Sequence, residues 1–280
     1  MTKTALPPQR TGSIRGGNLG TFVGSGGTNT NSALTEMAVA AAEPRWRWLA
    51  VGWVAAVVLK GLLPGPFLWV LCVIPHEMGH ATMGCLLGHP SAPAISLSGH
   101  AWTGVRDLQP WLVWAITAGF GITTWLVRQR TALVLASAAA TILIPLCAFT
   151  RLAPILIAAG GHLGELAFAA YCYAVIWTGG RTGSTQERVA GAVVGGMLQW
   201  ANLTLCFGLL TNAAARAEYA SNGSLGLKND YLVLAEDLLG CGLGAVAFTM
   251  LLIALLPLPV GFALGRWQER HQVVDHDASY

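Results

Sequence analysis

FLWVLCVIPHEMGHATMGCLLG, residues Phe67–Gly88, decides how this chain is read. It is apolar over roughly 20 residues, the length of an α-helix that crosses the hydrocarbon core of a bilayer. Yet it carries two imidazoles and a carboxylate, His76, Glu77 and His80, in its middle. Ionisable groups at that depth cost several kcal/mol, roughly 2.5–3.5 on insertion scales, unless they are paired, hydrated or bound to a cation. His76 and His80 are four apart, so a helix puts both rings on one face, one turn apart, where they can hold a single Zn²⁺. In HExxH sites the glutamate, here Glu77, takes a proton from the activated water and passes it to the leaving amine. The bland alternative is a hydrogen-bonded polar cluster without metal.

The rest of the chain agrees with a membrane setting. Of its 280 residues 54% are hydrophobic and only 10% charged, against about 25% charged in a typical soluble domain. The formal net charge of +3, with no basic run interleaved with aromatics, speaks against a nucleic-acid partner. The six cysteines all fall in apolar segments without CxxC spacing and read as small buried apolar residues. Apolar blocks predict spans at about 46–63, 67–88, 111–127, 131–149, 155–177 and 189–210, and a final helix at about 230–264. The expected fold is therefore all-α, a polytopic transmembrane helix bundle of about seven spans (six to eight), multi-pass in the cell membrane.

Residues 1–44 are rich in Gly, Ser, Thr and Asn (GGNLGTFVGSGGTNTNS at 16–32) and read as a flexible tail. They do not read as a secretory signal, because no apolar stretch closely follows their basic residues. The membrane domain is expected over 45–265 and a hydrophilic tail over 266–280. Lys3, Arg10, Arg15, Arg45 and Arg47 precede the first span, so the positive-inside rule puts the N-terminus in the cytoplasm. The HEMGH helix would then run toward the cytoplasm.

A catalytic zinc usually takes three protein ligands. GGHLGEL at 160–166 supplies two candidates, His162 and Glu165, three apart on one helix face. Gly160, Gly161 and Gly164 would let that face approach another helix closely. The preferred metal set is therefore His76 and His80 with Glu165 or His162; the alternative for the latter two is a mutual pair, or a pair with Arg151. Asp230, in KNDYLVLAED, is the runner-up third ligand and reads equally as a helix N-cap. Glu236 and Asp237 are weaker candidates. His89 and His100 read as solvated loop histidines.

HEMGHATMGCLLGHPSAPAISLSG, an HExGHA sequence in an apolar helix followed by a glycine turn and a short β-prone stretch (Ala94–Leu97), resembles the site-2 protease family of intramembrane zinc metalloproteases, in its short bacterial form. AAGGHLGELAFAA is loosely similar to that family's Gly-Pro-x-x-Asn helix. The resemblance covers about Phe67–Trp114. It implies zinc on His76 and His80, Glu77 as general base, and hydrolysis of peptide bonds in a membrane-protein or peptide substrate within the bilayer. The family takes its third ligand from an aspartate in a Leu-Asp-Gly motif. This chain has no Asp-Gly pair, and Asp230 stands in a comparable place by order along the chain. Two other functions fit the same residues: a membrane di-metal (non-haem iron) oxidoreductase using both His/Glu pairs, and a non-enzymatic metal-binding membrane protein.

Overall fold

A computed structural model describes residues 45–62, 65–96, 100–178, 184–221 and 228–277, with backbone alone for 65–68 and 270–277. The N-terminal tail expected over 1–44, Leu97 of the β-prone stretch and residues 278–280 lie outside the described residues. Apolar runs become helices α1 (Trp46–Leu62), α2 (Gly65–Leu86), α3 (Pro110–Leu126), α4 (Thr131–Ala148), α5 (Leu152–Thr178) and α6 (Thr185–Thr211). Proline opens α3, where a missing N–H goes unnoticed. Ser184 caps α6 by accepting from Glu187 N–H at 3.2 Å. All six cysteines are free.

The segment expected as one final helix is broken twice. Asp230–Leu232 (α8) runs into a wide π-helical stretch, Val233–Leu239. That stretch ends at Gly240, which takes a left-handed φ of 61°. Helices α9 (Leu243–Ala254) and α10 (Pro257–Asp277) follow, parted where Pro257 lacks the N–H that continuation requires. The polar loop before Asp230 holds a further helix, α7 (Ala213–Ser221). Among the described residues, four helical segments are long and apolar enough to cross a membrane: α4, α5, α6 and Leu243–Glu269. Their outward faces carry large apolar side chains, such as Ile142 at 67% and Leu135 at 66% exposed. That much bare apolar surface points to lipid as the solvent.

Small residues set the packing. Gly52 lies against Ala192 and Gly196, and Trp53 against Trp200, while Lys60 donates to Thr204 Oγ1 at 3.0 Å. Helices α1 and α6 therefore run parallel. Gly261 packs on Tyr173 and Gly265 on Trp177, so α10 runs parallel to α5. The far ends of these helices meet the start of α1: Arg45 pairs with Glu269 at 2.5 Å and covers the Trp177 ring. Helix α2 crosses α5 through glycine, with Pro75 and Gly79 beside Gly164, and His80 and Met83 beside Gly160. It runs antiparallel to α5, away from the Arg45 end. Its last residues reach the start of α5, where Leu87 joins a core with Val113, Ile144, Ala148 and Ala153.

Between α2 and α3 stands the one hairpin among the described residues, β1 (Ser91–Ile95) paired antiparallel with β2 (Ala101–Val105). Arg106 N–H donates to Pro90 O at 3.0 Å and Ser96 N–H to His100 O at 2.7 Å. Bonded pairs alternate with non-bonded ones along an antiparallel ladder. The register thus leaves Ser91/Val105, Pro93/Thr103 and Ile95/Ala101 non-bonded, which suits a proline at 93. The N–H and C=O groups of Ala101, Thr103 and Val105 then point away from β1, along the other edge of β2.

Candidate metal centre

The α2–α5 crossing brings the two predicted faces together. No side chain separates the helices at Gly79, Gly160 or Gly164, and a Cβ on Gly79 would strike the Gly160 carbonyl. Gly161 faces the Nε2 edges of both rings directly: a Cβ there would fall on His80 Nε2 and 2.5 Å from His76 Nε2. The glycine leaves open the space in front of two nitrogen lone pairs.

Hydrogen bonds set the tautomer of each ring. His80 Nδ1 lies 2.7 Å from Ile157 O; a carbonyl only accepts, so Nδ1 carries the proton and Nε2 is bare. His76 Nδ1 donates to Glu165 Oε1 at 3.2 Å, which in the neutral ring again leaves Nε2 bare. Asn202 donates its Nδ2 to Leu198 O at 3.0 Å and to Glu165 Oε2 at 2.5 Å. Its Oδ1 therefore accepts from His162 Nδ1 at 2.9 Å. The bare Nε2 atoms of His76 and His80 lie 3.2 Å apart, and Asp230 Oδ2 lies 2.9 Å from the first and 3.1 Å from the second. With both Nε2 atoms unprotonated, three acceptors at such spacing repel one another unless a cation or a shared proton lies between them. Ligands at about 2.0–2.1 Å from a tetrahedral zinc stand about 3.3 Å apart, close to all three separations.

Compared with family models, with curated proteins and with solved structures, the chain matches none of them.

The donors fall into two groups, His76–His80–Asp230 and His76–His162–Glu165. In the first, His76 presents Nε2; in the second, Nδ1. Glu165 is buried and already faces three N–H groups, from His76, Asn202 and His162, the last at 3.4 Å. His162 Nε2 lies 3.9 Å from Asp230 Oδ2, beyond first-ligand spacing, and its ring rests between His76 and Tyr231. Glu236 and Asp237 sit outside this cluster and hold Lys228 at 3.2 and 2.6 Å. Their carboxylates, Asp237 foremost, push the lysine pKa up.

Glu77 is buried, and its Oε2 accepts from Thr103 Oγ1 at 2.6 Å. It borders a cavity of about 950 Å³ that also reaches His76, His80 and Asp230. The walls are mostly apolar, with Trp69, Val73, Trp102, Leu205, Val233 and Leu238. The outward edge of β2 lines one side through Ala101, Thr103 and Val105. His89, read from sequence as a solvated loop residue, also lines it, with Nδ1 donating to Arg106 O at 3.0 Å.

Sequence reasoning passed over Thr103, Asn202 and Tyr219. Tyr219 brackets Asp230: its carbonyl accepts from Asn229 Nδ2 at 2.5 Å and its hydroxyl from Tyr231 N–H at 3.4 Å. The one local signal was for Asn202, a carboxamide inside an apolar helix. Threonine in a strand and tyrosine in a short polar helix carry none.

Proposed function

We propose that this chain is an intramembrane zinc metallopeptidase, similar in its chemistry to the site-2 proteases, embedded as a multi-pass protein in the cell membrane. One observation carries the reading: the bare Nε2 atoms of His76 and His80 and the Oδ2 of Asp230 converge at zinc-ligand spacing beside Glu77. His76, His80 and Asp230 are the ligands in this reading. Glu165 orients His76 from behind, the carboxylate–histidine–metal arrangement that commonly supports such sites. Zinc, when bound there, supplies a Lewis acid that polarises the scissile carbonyl and makes water nucleophilic. Glu77 accepts the proton on Oε1, since Oε2 is engaged by Thr103, and delivers it to the leaving amine. The mostly apolar walls of the cavity accommodate apolar side chains.

The substrate is a membrane segment that unwinds locally, because helical peptide bonds are shielded from attack. Once extended, its backbone groups need partners, and the outward N–H and C=O groups of Ala101, Thr103 and Val105 supply them. A two-metal redox site would need the Glu165 oxygens as ligands, and N–H donors of His76 and Asn202 already occupy them.

In this reading the chain crosses the membrane six times, within the six to eight spans expected from sequence. Arg45 at the start of α1 and Glu269 in α10 share one end of the bundle, so the number of crossings between them is even. In this reading α2 does not cross, since Trp69 and Cys72 in its first half lie beside Lys60 near the far end of α1 and Leu87 after its last turn packs at the start of α5, leaving α1, α3, α4, α5, α6 and Leu243–Glu269 to cross. With a cytoplasmic N-terminus, the HEMGH helix then runs away from the cytoplasm, opposite to the sense expected from sequence.

The test is Glu77→Gln in protein reconstituted with zinc and fluorescent membrane-spanning peptides. About one zinc per chain stays bound and cleavage disappears; cleavage that survives this change refutes the mechanism.

A further inference from the structure

The hairpin after α2 does more than line the cavity. Thr103 Oγ1 donates to Glu77 Oε2 at 2.6 Å and lies 3.1 Å from the Glu77 carbonyl oxygen. Two contacts to one residue hold that hydroxyl in place. Among the described residues Glu77 Oε1 has no hydrogen-bond partner, and the side chain borders the cavity. A carboxylate anchored through one oxygen keeps the other aimed where a proton must be taken. Nothing on α2 performs this role, because Glu77 projects from the helix at a different angle from His76 and His80. The anchor comes from another element, fixed by the β1–β2 register. In that register Thr103 is a non-bonded pair with Pro93, so its own N–H and C=O lie on the outward edge of β2 beside the cavity.

We infer that Thr103 is the positioning residue of the general base: its hydroxyl aims the Glu77 carboxylate into the cavity, while its backbone lies on the edge that receives the substrate. Base orientation and substrate docking then share one residue, and a peptide laid along β2 sits in register with the carboxylate that serves it. This rests on Glu77 acting as the base of a metal centre.

The test uses full-length protein loaded with cobalt, read by its visible absorption, and two probes. Acetohydroxamic acid chelates the metal and gives its hydroxyl proton to a neighbouring carboxylate. Azide binds the metal without needing that carboxylate. Thr103→Val keeps shape and β-propensity but removes the donor; Thr103→Ser restores it. Thr103→Val is expected to weaken acetohydroxamate about ten- to hundredfold, the scale of one hydrogen bond to a charged group. Azide affinity and metal content stay as in the parent, and Thr103→Ser recovers most of the loss. In peptide cleavage the same variant lowers kcat with KM little changed. If Thr103→Val binds acetohydroxamate like the parent while Glu77→Gln loses it, the inference is overturned and Glu77 remains the base. If Glu77→Gln also binds it like the parent, the reading of the base itself fails, and the inference with it. Azide affinity falling in parallel with acetohydroxamate in Thr103→Val overturns the inference as well, since the damage is then to the metal centre.

Discussion

Asp230 and Glu165 compete for the place of third ligand, and replacing each in turn separates them. Asp230 Oδ2 touches both bare Nε2 atoms, at 2.9 and 3.1 Å, whereas Glu165 touches the outer nitrogen of His76 at 3.2 Å. Apparent zinc affinities of roughly 10–16 kcal/mol in four-ligand sites average to about 2.5–4 kcal/mol per ligand. Asp230→Ala should therefore weaken zinc by about 10²–10³-fold at 1.4 kcal/mol per tenfold. Losing an outer hydrogen bond costs about 10–100-fold, or about 1.4–2.7 kcal/mol. Glu165→Gln should fall in that range, although glutamine is isosteric. Glu165 faces only donors, from His76, Asn202 and His162, so an amide must turn its NH₂ against one of them. Competition against a chromophoric chelator in detergent, with metal content measured per chain, reads both variants. A larger loss in Glu165→Gln than in Asp230→Ala refutes the ligand assignment and favours the set His76, His162 and Glu165.

Two further predictions concern the space and the support around the proposed metal. Gly161→Ala puts a methyl on the edges of His76 and His80 and should abolish zinc binding; if the chain still folds with helix content unchanged but binds zinc normally, the ligand edges are not where these distances put them. Asn202→Leu removes the amide that fixes Glu165 and His162 and strands polar groups in the helix interior. Thermal unfolding should show about 1–3 kcal/mol lost, with zinc weakened about tenfold; unchanged affinity would mean that Glu165 is held without it.

Local chemistry made much of this protein legible. The helices α1 to α6 follow from apolar runs, and among the described residues breaks between them fall at the hairpin, Arg128–Arg130 and Arg151. The pairing of His76 with His80 needs only the 3.6-residue turn, and the glycines of GGHLGEL announce a close crossing before its partner is known. The breaks in the last helix were present as Gly240 and Pro257 but were outweighed by the apolar run around them.

What the tertiary structure decided is which carboxylate stands in front of the histidines and which behind. Asp230 and Glu165 are both single acids near apolar helices, and composition does not rank them. The ranking comes from the α2–α5 crossing, which turns His76 Nδ1 toward Glu165 and Nε2 toward Asp230. It comes also from Tyr219, which brackets Asp230 through its hydrogen bonds with Asn229 and Tyr231. Thr103 depends likewise on strand register. Spacing along a helix is a property of neighbours in the chain and survives in the sequence. The face a ring turns to a distant carboxylate depends on packing between segments, and no short stretch of sequence records it.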